Sequence, residues 1–140
     1  SWMMGLSFDG IKASPSLVKN IINALLRQEP TLFTCNEKRC LTYAKRLATQ
    51  FDKIIELPTG TYHFASNIEL TTYQAACYIA KQLGASQEAI DTYILPNTKR
   101  YADRFRDYRL DASKIQSHGI HLATFQEDVD SLLSDFGWKV

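Results

Sequence analysis

An excess of charge of one sign is missing from this chain. Its 140 residues carry 16 Lys and Arg against 15 Asp and Glu, a formal net charge of +1. That balance excludes a globally basic nucleic-acid binder and an acidic disordered tail. Long hydrophobic runs are missing too: no uninterrupted apolar stretch approaches the ~20 residues that span a bilayer, so no membrane partner is expected. Cysteine is scarce and odd in number. Cys35, Cys40 and Cys77 show no C-x-x-C spacing, so a zinc knuckle and a disulfide framework both fit poorly, and free thiols in a reducing cytoplasm are expected. Histidine is rarer still in useful places. His118 and His121 are three apart, but Gly119 breaks any helix that would bring them to one face as metal ligands. His63 lies in an apolar run and reads as a hydrogen-bonded core residue. With four Pro and six Gly, the chain has no low-complexity linker and no internal repeat. No charged-then-apolar leader opens it, so no signal peptide is expected.

What is present is a globular pattern. Apolar residues make up 45% of the chain, and its length suits one domain that needs no covalent staples. Ser14-Pro15 reads as a helix start, followed by Leu17, Val18, Ile21, Ile22, Leu25 and Leu26 at helical spacing. Pro30 stops that helix, and Thr31-Leu32-Phe33-Thr34 reads as a strand. A second helix is expected from about Tyr43 to Ile54, with Ala44, Leu47, Ala48 and Phe51 inward. Tyr62-His63-Phe64-Ala65 reads as a buried strand. Thr71 or Thr72 caps a third helix whose inner face carries Ala75, Ala76, Ile79, Ala80 and Leu83, and Gly84 ends it. Ser86–Ile90 adds a helical turn and Tyr93-Ile94-Leu95 a strand. Asp111 caps a brief helix closed by Gly119, and Thr124 caps a last one bearing Phe125, Val129, Leu132 and Leu133. Four or five helices with three short strands give an α/β domain (α+β as an isolated piece).

Chemistry is concentrated in one place. From Lys99 to Arg109, five cations stand against two carboxylates, with Tyr101, Phe105 and Tyr108 interleaved. Guanidinium forks match phosphates and aromatic faces stack on bases, so this stretch could hold a nucleotide or a pyrophosphate. The other reading is a solvated connection whose aromatics anchor it to the core. Cys35 and Cys40 flank Glu37-Lys38-Arg39, a setting that could lower a thiol pKa, although two inert thiols explain the pattern as well. There is no G-x-G-x-x-G turn, no G-x-x-x-x-G-K-[ST] loop and no Tyr-x-x-x-Lys pair. Tyr78 has Lys81 three positions on, not four.

Taken in order, the segments resemble dTDP-4-dehydrorhamnose reductases of the extended short-chain dehydrogenase/reductase superfamily. Ser1-Trp2-Met3-Met4-Gly5 is similar to that family's Thr-Ser-Trp-x-(Tyr/Phe)-Gly strand end. The run from Asn36 to Tyr43, with Ala44-Lys45-Arg46-Leu47-Ala48 after it, stands where the family has a polar Gly-Ser-Pro-Thr-Tyr segment and a helix. Gly60–Ser66 resembles Gly-x-Tyr-His-x-x, and Thr72–Ala76 resembles Ser-Trp-Tyr-Glu-Phe-Ala. Arg104–Lys114 resembles Arg-Pro-x-x-Ser-x-Leu-Asp-x-Ser-Lys, and Gly119-Ile120 with the closing helix completes the order. Arg39 replaces the family's glycine, Cys40 and Leu41 its Ser-Pro, and Phe105 its proline.

The resemblance implies that residues 1–140 are the C-terminal, substrate-binding part of a nucleotide-sugar reductase. A preceding Rossmann domain would bind NADPH or NADH and supply the Tyr and Lys of catalysis, so this chain alone would hold no cofactor and not turn over. It also implies two substrate contacts: Trp2, whose ring would pack near the sugar, and Arg104, whose charge suits the diphosphate or an internal carboxylate partner. Exposed apolar faces left by the absent domain imply self-association. The alternative reading is a non-catalytic regulatory or partner-binding subunit on the same scaffold.

Overall fold

Three pairs of short parallel strands, each closed by residues far apart in sequence, organise this α/β chain. The computed structural model describes residues 2–4 and 16–138, so the expected Ser14-Pro15 start lies outside the described residues. Strand β1 (Trp2–Met4) pairs with β4 (Leu41–Tyr43), β2 (Thr31–Thr34) with β5 (Ile94–Asn97), and β3 (Glu37–Lys38) with β6 (Arg106–Asp107). Parallel neighbours cannot be joined by a tight turn, so helices fill the crossings. They are α1 (Leu17–Arg27), α2 (Ala44–Ala48), α3 (Phe51–Ile55), α4 (Thr72–Gln82), α5 (Gln87–Tyr93), α6 (Ser113–Ser117) and α7 (Phe125–Asp135).

The three long helices begin where side chains satisfy otherwise unpaired N–H groups. Ser16 Oγ accepts from Lys19 N–H at the start of α1. Thr71 and Gln74 form a reciprocal capping box on α4, as Thr124 and Glu127 do on α7. Helix α1 ends before Pro30, at Gln28, which takes the left-handed conformation and donates its N–H to the Ala24 carbonyl. Gly84 (φ +86°) follows α4, as its position after the apolar stripe requires.

The main core joins Val18, Ile21 and Ala24 of α1, Ala75, Ala76, Ile79 and Ala80 of α4, Ile94 of β5, and Phe125, Val129, Leu132 and Leu133 of α7. A smaller cluster holds Ala112, Ile115 and Ile120 against Ile54, Leu57, Tyr62, Phe64 and Leu122.

Several expectations are corrected. The Tyr43–Ile54 helix is two short helices broken at Thr49-Gln50, and Ala44, Ala48 and Phe51 face outward. The break follows side-chain competition: Thr49 Oγ1 donates to the Arg46 carbonyl, while Gln50 bonds the main chain of His121. Residues 62–65 form no strand, and His63 is exposed. Leu26, counted in the apolar stripe, is 80% exposed. Asp111 does satisfy the Ser113 N–H (2.8 Å), although Ala112 occupies the cap position of α6. The described residues hold seven helices and six strands, more than the periodicity announced, because several are too short to show a period.

Candidate functional site

One run of chain, residues 37–43, pairs both with the strand that holds Trp2 and with the strand that follows Arg104. Its first part pairs with β6 (Glu37 opposite Arg106, Lys38 opposite Asp107), and its second with β1 (Leu41 opposite Trp2, Tyr43 opposite Met4). Trp2 therefore occupies the first rung of β1; its indole lies outside what the structure describes. Arg104 lies two residues before β6. It is exposed, its N–H donates to the Tyr101 carbonyl (3.3 Å), and its guanidinium forms no ion pair among the described residues.

The basic stretch is folded on itself. Asn36 Nδ2 donates to the Thr98 and Arg100 carbonyls at 2.9 and 3.0 Å, and Asn97 Oδ1 accepts from the N–H groups of Lys99 and Arg100. Tyr101 is held at φ +57°, a strained setting for an aromatic residue, with the Arg100 and Arg106 guanidiniums 5.0 and 5.4 Å from its ring centroid. Arg106 pairs with Asp103, and Arg109 with Asp107 and Glu69 at 2.7 and 2.8 Å. Hydrogen bonds from Arg109 hold the Asp107 carboxyl down at about 2, and the same contact pushes the Arg109 guanidinium further up. The chain thus combines both sequence readings: Arg106 and Arg109 brace the loop, while Lys99 and Arg104 present charge outward.

Arg39 forms a bridge beside this loop. Its guanidinium lies 4.5 Å from the Tyr108 ring centroid and pairs with Glu37 at 3.2 Å. Glu37 is itself buried and accepts from Thr72 Oγ1. A side chain at this position therefore ties β3, β6 and the start of α4 together.

Sequence reasoning missed Asp128. This carboxylate, in the first turns of α7, is fully buried. It accepts hydrogen bonds from the Tyr43 N–H (2.9 Å), Ser66 Oγ–H and Arg46 Nε–H. Thr42 Oγ1 in turn accepts the Ser66 N–H at 3.0 Å. The signal was in the sequence: Phe125, Asp128, Val129 and Leu132 share the inward stripe, and an acidic residue in such a stripe must find donors.

The cysteines are structural. Burial pushes the Cys35 thiol up, opposite to the lowering that the nearby Lys38 and Arg39 suggested, and burial pushes the Cys77 thiol up as well. Cys40 is buried and its sulfur accepts the Leu110 N–H at 3.3 Å. No group of three metal-ligating side chains exists among the described residues, nor any helix long and apolar enough to cross a membrane.

Two polar concavities flank the Asp128 network. One, of about 500 Å3, lies between α2 and α7, where Tyr43 Oη–H and Lys45 Nζ both donate to Asp135 at 2.9 Å. Burial, with Asp135 behind it, pushes the Tyr43 phenol up to about 12. The other, of about 520 Å3, is bounded by residues 65–68, 109–116 and the start of α7. Both lie within the span of a family model described as the RmlD substrate binding domain, which matches residues 8–137. The chain belongs to this family. As an RmlD substrate binding domain it is the substrate-binding part of a nucleotide-sugar reductase-like protein, with the oxidoreductase and rhamnose-pathway character of that family. The RmlD match takes in the basic loop, the Asp128 network and both concavities. The chain matches no individual curated protein.

Proposed function

We propose that residues 1–140 form the C-terminal substrate wall of an NAD(P)-dependent reductase acting on a nucleotide sugar, with Trp2 beside the sugar and Arg104 on the diphosphate. The observation that carries this reading is the family match across residues 8–137. The geometry supports it: Arg104 is exposed and forms no ion pair among the described residues, and the strand after its loop and the strand of Trp2 both pair with residues 37–43.

Hydride transfer belongs to a Rossmann domain outside these residues, because this chain has no glycine-rich strand–helix turn to receive the pyrophosphate of a nicotinamide cofactor. Its own contribution is to bind and orient the sugar nucleotide. On this reading it is not catalytic alone. Its three free thiols suit a reducing cytoplasm.

Calorimetric titration of the chain tests the proposal. dTDP should bind, and Arg104→Ala should weaken it about tenfold, the loss of one charge-assisted contact. NADPH should give no heat; stoichiometric micromolar binding of NADPH would overturn the division of labour. Leu26, Leu32, Phe51 and Ile55 are each more than half exposed, and these apolar surfaces support self-association of the isolated chain. Sedimentation showing a monomer at high micromolar concentration would refute that part.

A further inference from the structure

Tyr101 belongs to neither core cluster, yet its backbone is strained. It is the third residue of a turn closed by the Ala102 N–H on the Lys99 carbonyl (3.2 Å), and its φ of +57° lies in the left-handed region. A positive φ at that place in a turn ordinarily belongs to glycine or asparagine. An aromatic residue persists there only when its surroundings over-determine it, and strain of this kind gathers at ligand clamps.

The surroundings here are the basic loop itself and residues 36–38. Asn36 holds the near side of the loop through two carbonyls, Thr98 and Arg100, and its own carbonyl accepts the Arg106 N–H at 2.9 Å on the far side. The Lys38 carbonyl accepts the Tyr108 N–H, also at 2.9 Å. Within the loop, Arg100 Nη2 donates to Tyr101 Oη (3.2 Å), and the Arg100 and Arg106 guanidiniums both lie against the Tyr101 ring. Arg100 forms no ion pair among the described residues, so an aromatic face, which leaves the charge unneutralised, holds its guanidinium in place of a carboxylate. Arg104 comes next in this arrangement. Its N–H closes a second turn on the Tyr101 carbonyl, and Asp103 beside it is held by Arg106.

We propose that Tyr101 is a positioning residue: its strained turn, clasped by Arg100 and Arg106 and anchored through Asn36, sets Arg104 in place for the diphosphate of a nucleotide ligand. A cation placed before the ligand arrives escapes the ordering cost that binding otherwise imposes. The inference deepens the functional reading above and rests on it for the identity of the anion.

The test combines thermal unfolding, 15N relaxation and calorimetric titration with dTDP. Glycine takes a positive φ freely, so Tyr101→Gly should leave the unfolding midpoint unchanged or raise it. The same variant should lower the order parameters of residues 102–106 from about 0.85 to below about 0.6, and weaken dTDP about fivefold. Tyr101→Asn, which also tolerates the left-handed region, should behave alike. Tyr101→Phe keeps the ring and should bind dTDP within about twofold of the natural chain. Because Tyr101 acts through Arg104, adding Tyr101→Gly to Arg104→Ala should cost no further affinity. Full additivity in that double variant, or a midpoint that falls together with affinity, would overturn the proposal in favour of a merely structural tyrosine. If the natural chain binds no dTDP while Tyr101→Gly still loosens residues 102–106, the positioning of Arg104 stands and the nucleotide-sugar reading falls. dTDP binding that Arg104→Ala weakens and Tyr101→Gly leaves untouched would do the reverse.

Discussion

The Asp128 carboxylate accepts the main-chain N–H of Tyr43 at 2.9 Å across 85 positions of sequence. It thereby welds the start of α7 to the end of β4, the strand that carries Trp2 through its partner β1.

Asp128→Ala should cost about 3–5 kcal/mol in urea denaturation, because it strands the Arg46 charge and leaves Tyr43 N–H and Ser66 Oγ–H without their acceptor. Asp128→Asn, which keeps an acceptor oxygen, should recover part of that loss. A loss below about 1 kcal/mol for the alanine variant would show that the network is dispensable.

Tyr43 makes stability fall at high pH. Its phenol ionises at about 12 when folded against an ordinary value of 10.0, because burial and Asp135 disfavour the anion. The neutral form's contribution is complete below pH ~10 and is lost as pH climbs to about 12. Asp107 acts at the other end: its contribution is complete above its ordinary value of 3.8 and is lost as pH falls to about 2. Tyr43→Phe should flatten the alkaline limb, and Asp107→Asn the acid limb, of midpoint against pH. An unchanged profile in either variant would refute the corresponding assignment.

Gly84→Ala isolates a backbone cost. Nothing lies within 4 Å of the added Cβ, yet φ is +86°. The expected loss is about 1–2 kcal/mol, the steric cost of a left-handed residue. Gly84→Asn should lose less, since asparagine tolerates that conformation better. Equal stability of all three proteins by thermal unfolding would count against the assigned geometry.

Alkylation should be slow. With the Cys35 and Cys77 thiols pushed up by burial and Cys40 enclosed, none should react with iodoacetamide at neutral pH as fast as free cysteine. Mass spectrometry after brief labelling checks this, and one rapidly modified site would contradict it.

The amino-acid order alone was enough to determine what is local and periodic. The α4 stripe from Ala75 to Ala80, the Thr71 and Thr124 caps and the Gly84 stop were all legible, because each depends on residues within a turn or two of one another. So was the family, through segments in a recognisable order. Tertiary structure decided what depends on distant partners. Gln50 breaks the second helix by bonding His121, His63 faces out because residues 62–65 pair with no strand, and Arg106 and Arg109 find Asp103, Asp107 and Glu69 rather than solvent. The buried network around Asp128 is the clearest case. Its polarity within an apolar stripe was visible in the sequence, but its donors come from residues 43, 46 and 66, and only folding brings them within hydrogen-bonding reach.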